Sequence, residues 1–184
     1  GYSKLFKNML NHKNIKLMLN TEFDEICSIT ENGFTFMGNE FKGKLIYTGP
    51  IDELFDYRFG DLPYRSVDMK FETIESEFYQ DAATVNYPNN YDFTRITEFK
   101  HIHPCDSKKT TILKEYPKEY IKGKDTPYYP IFTDKNKEKY NRYLEYSTKW
   151  KNLILLGRLA EYKYYDMDDM IERALEIFKN EFKI

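Results

Sequence analysis

Apolar and polar positions along this chain follow two periods, one near 3.6 residues and one of two. Helical spacing opens it: Leu5, Phe6, Met9 and Leu10 predict a helix over roughly 2–11, and Asn11 and Asn14 suit the turn after it. IKLMLN (15–20) predicts a strand. EICSI (25–29) and FTFMG (34–38) flank Glu31-Asn32-Gly33, the composition of a hairpin turn. KLIYTG (44–49) predicts a further apolar strand, ended by Gly49-Pro50. YRSVDMKFETI (64–74) partly alternates, as a half-exposed strand does. ATVNY (83–87), TRITEFKHI (94–102) and TTILKEY (110–116) predict three more, separated by loops at 88–92 and 104–109.

Helical spacing then returns. DTPYYPIF (125–132) is held extended by two prolines. Asp134 is placed to cap a helix whose stripe is Tyr140, Tyr143, Leu144, Ser147 and Trp150. The run Leu153–Leu156 stops at Gly157, Arg158 follows, and a last helix begins near Asp166–Asp169, where acids suit the positive end. Its stripe, Met170, Ile171, Ala174, Leu175, Ile177, Phe178 and Phe182, predicts a buried face. Strand, glycine turn and helix start gather an arginine, tyrosines and amides in one region, which suits a phosphate or pyrophosphate. A strand–turn–helix with a surface arginine would show the same pattern. Together these elements predict one α+β domain with a mixed or mainly antiparallel sheet, packed helices and one wet sheet face.

At 184 residues the chain is long enough for one good core. Twenty-eight basic and 30 acidic residues give a formal charge of -2, which argues against a general nucleic-acid binder. No apolar run approaches the roughly 20 residues that cross a bilayer, and the opening GYSKLFKNML lacks a signal-peptide core, so the expectation is a cytoplasmic protein with no membrane contact. Cys27 and Cys105 imply no disulfide framework. His101, His103 and Cys105 would share a strand face, but Pro104 interrupts it and no fourth ligand is evident, so no metal site is predicted. Seventeen tyrosines and 14 phenylalanines change the picture more. Tyrosine joins a flat apolar face to a hydroxyl, which suits a sugar or nucleotide pocket as well as an ordinary core. Neither GxGxxG nor a Walker motif occurs.

KLIYTGPIDELFDYRFGDLPYRS (44–66), VNY (85–87), YDFTRITEFKH (91–101), KEYP (114–117), DTPYYPI (125–131) and GRLAEYKYYDMD (157–168) resemble, in order, segments of the UDP-galactopyranose mutase family. The resemblance covers nearly all of the chain and is to the family's carboxy-terminal half: a substrate-binding sheet region plus a terminal segment of a Rossmann-like FAD domain, without the amino-terminal glycine fingerprint. It implies an isomerase, an intramolecular transferase, that interconverts UDP-galactopyranose and UDP-galactofuranose, with reduced FAD supplying the nucleophile. It implies substrate-side roles for Arg65, Asn86, Arg95, Glu115, Tyr129 and Tyr164, with Arg95 the strongest candidate for the pyrophosphate. Arg158 and Asp166 look like part of the FAD-binding signature. Arg65, Arg95, Tyr129 and Tyr164 are expected to face a common concave surface. The resemblance further implies UDP-galactose as substrate, a partner amino-terminal half, and no stable FAD binding or turnover by this chain alone; it leaves homo-oligomerisation open. The alternative is a non-catalytic sugar-nucleotide-binding or structural fragment.

Overall fold

Two residues, Glu31 and Asn32, turn the chain between strand β1 (Cys27–Thr30) and strand β2 (Gly33–Phe36), which pair antiparallel from Thr30↔Gly33 to Cys27↔Phe36. Met37 and Gly38, both at positive φ (48° and 76°), make the next tight turn into strand β3 (Asn39–Phe41). The computed structural model describes residues 2–182. It divides into two compact units: unit 1 takes the chain up to Leu45 plus Lys149–Ile154, and unit 2 takes Ile46–Thr148 and the chain from Leu155 onward. The single domain expected is thus divided into two compact units. Two short strands, β4 (Leu45–Tyr47) and later β10 (Leu153–Leu155), contain two of the three points where the chain passes from one unit to the other; the third follows Thr148.

Unit 1 joins the three-stranded meander to helices α1 (Tyr2–Leu10) and α2 (Phe23–Ile26). Glu22 and Glu25 close a capping box on α2, with the Glu22 amide donating to Glu25 Oε2 at 3.0 Å. Trp150 is fixed here, its indole N–H donating to the Thr30 carbonyl (2.8 Å), and Asn152 Nδ2 donates to the Gly43 carbonyl (2.8 Å). Helix α1 forms as its spacing predicts but buries none of its residues. The strand expected at 15–20 does not form: the run lies in no ladder among the described residues, and Leu17, Met18 and Leu19 are exposed.

Unit 2 carries a five-stranded antiparallel sheet in the order β6-β7-β8-β5-β9. Its strands are β5 (Tyr64–Ile74), β6 (Thr84–Asn86), β7 (Arg95–Glu98), β8 (Thr110–Glu119) and β9 (Tyr129–Pro130). The central ladder, β5 with β8, runs from Arg65↔Glu119 to Ile74↔Thr110. Strand β7 ends early. The sequence predicts a strand through 102, but Phe99–Ile102 is a helical turn, α4, and the ladder ends at the residue before it. Glu98 is fully buried, and its carboxylate accepts the Tyr79 and Gln80 amides (3.0 Å each) and the Thr110 hydroxyl (2.6 Å). Those bonds tie Glu98 both to the loop at 79–80 and to Thr110 of β8, at the point where the ladder ends with Glu98↔Ile112. Burial pushes the Glu98 carboxyl up, but the three hydrogen bonds and nearby His101 outweigh it and hold it below its ordinary value.

Helix α3 (Ile51–Leu54) and helix α5 (Asp134–Ser147) supply apolar surface to the unit 2 core through Ile51, Leu54 and Tyr143, joined by Phe55 and Leu62. The cap of α5 is Thr133, whose hydroxyl accepts from the Asn136 amide (3.2 Å); Asp134, expected there, is the first helical residue. Of the predicted stripe, Tyr143 and Ser147 are buried, Leu144 is exposed, and Trp150 lies beyond the helix in unit 1. The last helix, α6 (Met167–Phe182), corrects the reading further. Only Ile177 is buried, while Ile171, Leu175 and Phe178 stand 56%, 54% and 45% exposed. Periodicity reveals that a helix has an apolar face; it does not say that this chain supplies the layer covering it. Among the described residues no helix is long and apolar enough to cross a membrane.

Candidate functional site

Register decides which side chains meet. Directly opposed residues of an antiparallel pair project from the same face, as do residues two apart on one strand. Asn86 opposes Arg95, Arg95 opposes Glu115, and Glu115 opposes Met69. Along β5, Met69, Val67 and Arg65 share that face, and Arg65 opposes Tyr129 on the edge strand. Five expected substrate-side residues, Arg65, Asn86, Arg95, Glu115 and Tyr129, thus emerge on one face of one sheet. This is its more open face: Arg65 and Asn86 are exposed and Arg95, Glu115 and Tyr129 half-buried, whereas Tyr64, Ser66, Ile96 and Ile112 are buried on the other. Met69 and Arg65 are four residues apart, about 13 Å along the strand.

The face carries two groups. In the first, Arg95 Nε donates to Asn86 Oδ1 (3.0 Å) and its Nη1 lies 3.8 Å from Glu115 Oε1. Asn86 takes the Nε–H and Glu115 lies beside Nη1, so the guanidinium is held from two sides. The second group joins the sheet edge to the last turn before α6. Tyr129 and Tyr164 stack with ring centroids 6.0 Å apart and planes 21° from parallel. The Arg158 guanidinium sits 4.5 Å from the Tyr164 ring centre and 6.0 Å from that of Tyr129, a cation–π arrangement. Arg158 is aimed by its own Nε–H, which donates to the Tyr165 carbonyl (2.6 Å), and the Tyr164 hydroxyl donates to Asp166 Oδ1 (2.9 Å). That hydrogen bond, with burial and the carboxylate's charge behind it, pushes the Tyr164 phenol up.

The turn depends on Gly157. Its φ of 108° is one that side-chain-bearing residues rarely adopt, and its amide donates to Glu161 Oε2 (3.0 Å). At the start of α6 the Asp166 amide donates to Asp169 Oδ2 (3.1 Å). That amide is therefore satisfied internally, and acids crowd a helix start where the sequence suggested a phosphate. Beside it lies a groove of about 590 Å³ that includes Arg158, Asp166, Gly157, Thr48 and Met170 in its lining. The two residues expected on the cofactor side thus share one concavity within unit 2.

Sequence reasoning passed over Met69, which stands between the two groups on the same face. The alternation of 64–74 carries the signal, since it sets 65, 67 and 69 together.

Comparison with known proteins decides the family. The UDP-galactopyranose mutase family profile matches residues 1–164. The chain belongs to the UDP-galactopyranose mutase family. Relatives within reach include the dTDP-fucopyranose mutase of Escherichia coli, 34% identical over 178 residues, which are 96% of this chain and 46% of the relative. The UDP-galactopyranose mutase of Mycoplasma pneumoniae is 34% identical over 180 residues, 95% of this chain and 45% of the relative. That of Mycoplasma genitalium is 35% identical over 176 residues, covering 93% and 43%. The chain therefore spans less than half the length of these mutases.

Proposed function

We propose that this chain forms the substrate-facing sheet and part of the flavin-side wall of a nucleotide-sugar mutase that interconverts UDP-galactopyranose and UDP-galactofuranose. One observation carries the reading: Asn86, Arg95, Glu115, Arg65 and Tyr129 share a sheet face in register, and Tyr164 and Arg158 stack on from Tyr129. Arg95 and Arg65 hold the diphosphate. A guanidinium offers paired donors to phosphate oxygens, and its charge offsets that of the departing UDP. Tyr129 and Tyr164 add neutral hydroxyl bonds and an aromatic wall. Asn86 and Glu115 act by orienting Arg95 and by reading sugar hydroxyls.

The groove at Gly157 fits FAD on this chain's side. The glycine keeps the backbone bare where a Cβ would meet only Thr48, at 3.8 Å; Arg158 can pair with an anionic or carbonyl oxygen and Asp166 can accept a hydroxyl. Reduced FAD, when bound, supplies the nucleophile toward the anomeric carbon. The Rossmann-like domain that holds the rest of the cofactor comes from sequence outside this chain. The open apolar stripe of α6, Ile171, Leu175 and Phe178, is the surface we assign to its docking.

A second reading concerns the substrate. The relative named dTDP-fucopyranose mutase is as similar as those named for UDP-galactopyranose, so a dTDP-6-deoxysugar competes as the natural ligand. The test is anaerobic conversion of UDP-galactofuranose, with dTDP-fucofuranose in a parallel arm, by this chain alone and with the amino-terminal half of a relative. Turnover and stoichiometric flavin are expected only in the mixture. Arg95→Ala should cost about 10- to 100-fold in kcat/KM, the value of a charge-assisted hydrogen bond or two. Unaltered turnover by Arg95→Ala would reject its role. Saturable UDP-sugar binding by this chain, with no turnover under any combination, would leave a binding module instead.

A further inference from the structure

On the opposite face of β5 from Arg65, Tyr64 points into a different cavity. It measures about 230 Å³ and lies within unit 2. Its lining is acidic and aromatic: Asp52, Glu53, Asp61 and Glu119 against a single ammonium, Lys122, with Tyr57, Tyr64 and Tyr120 among the walls. Asp52 and Tyr64 are 2% and 3% exposed, yet Asp52 Oδ1 and Tyr64 Oη have no hydrogen-bond partner. The other Asp52 oxygen accepts the Leu62 amide at 2.8 Å, which fixes the carboxyl in place. Buried polar atoms are nearly always bonded, so an Asp52 oxygen and a Tyr64 phenol without a partner in the lining of one cavity are groups that a hydrogen-bond donor in it would satisfy. Lys122 displays the chemistry the walls accept. Its ammonium lies 2.9 Å from the Tyr57 ring centre and 3.2 Å from Asp61 Oδ1.

We propose that this cavity is a binding site for a small primary alkylammonium ligand, its N–H groups donating to Asp52 Oδ1 and Tyr64 Oη and its charge resting against the tyrosine rings. Four carboxyl groups against one lysine in the lining favour a cation over an anion. Three tyrosine rings favour an organic cation over a hydrated metal ion, because cation–π attraction rewards a cation that leaves its water behind. The volume admits a short chain and no nucleotide. The site is separate from the Arg65–Arg95 face, because adjacent strand residues project to opposite sides.

The test titrates the full chain with n-propylammonium chloride, following tyrosine ring resonances by NMR. 1-Propanol serves as the neutral isostere and potassium chloride as the salt control. Nα-acetyl-lysine methylamide distinguishes a peptide-borne ammonium from a free amine. Saturable shifts confined to Tyr57, Tyr64 and Tyr120 are expected with propylammonium and absent with propanol and potassium. Asp52→Asn keeps the acceptor for the Leu62 amide and should weaken binding at least tenfold; Tyr64→Phe keeps the ring and should weaken it less. Lys122→Met removes the resident charge and should tighten binding. Equal shifts with propanol, no saturable shift with either ammonium, or weaker binding in Lys122→Met would overturn the proposal, the first two leaving the cavity to ordered water.

Discussion

Glu98 shows how one side chain can settle a local fold. Its carboxylate holds two loop amides, of Tyr79 and Gln80, and the hydroxyl of Thr110 on the paired strand. Removing it orphans them. Glu98→Ala is expected to destabilise unit 2 by about 1–3 kcal/mol, read as a lower urea midpoint. The pH dependence has a definite sign. The folded carboxyl titrates below its ordinary 4.5, so the native state binds fewer protons than the unfolded one in that window. Its stabilisation is complete above about pH 4.5 and drains away as pH falls through the lower folded value. Glu98→Gln should flatten this acid limb; an unchanged limb would assign the loss to other carboxylates. Nothing in the sequence announced this residue, since a glutamate before an apolar turn reads as solvated.

At the scale of elements, the period-two pattern of 64–74 was legible because β5 is a long strand with one open face, and its bounds match those the alternation predicts. The site residues came from the family resemblance; parity adds that Arg65 and Met69 share a face, and the register, which the sequence did not reveal, brings Arg95, Asn86 and Tyr129 to it. Short segments were less legible. IKLMLN looked like a strand because its residues suit one, but a ladder needs a partner, and no local signal encodes it. Helix α5 illustrates the same division. Its stripe pointed to Tyr143, but not to what the phenol does. The hydroxyl accepts the Phe59 amide and donates to the Gly60 carbonyl, both at 3.0 Å. Tyr143→Phe should therefore cost about 0.5–1.5 kcal/mol despite conserving the ring, because the Phe59 amide and the Gly60 carbonyl lose a part-buried partner. A thermal midpoint unchanged in that variant would show that water replaces the hydroxyl.

For the whole molecule, the sequence told the family and the sheet's residues but missed the division into two units and the openness of α6. Both failures have one physical source: amphipathic spacing is the same whether the covering layer lies in the chain or outside it. The exposed stripe makes a separable prediction. Ile171→Lys with Leu175→Lys should leave the stability of this chain within roughly 0.5 kcal/mol, as surface changes do, while abolishing flavin uptake with an amino-terminal half. A comparable loss of this chain's own stability would return α6 to the core.

The composition of unit 1 also sets a clock. Its two parts, up to Leu45 and Lys149–Ile154, are separated by the whole of Ile46–Thr148 in unit 2, about 100 residues. Thr30 and Trp150, joined by the indole hydrogen bond, stand 120 positions apart. A ribosome adding roughly 5–20 residues per second needs about 5–20 s to cross the intervening stretch. During that interval the three-stranded meander has left the ribosome without the tryptophan that completes it, while most of the unit 2 sheet has already been made. Unit 1, begun first in sequence, is closed only after all five strands of the unit 2 sheet have been made, just before the last stretch of unit 2 itself.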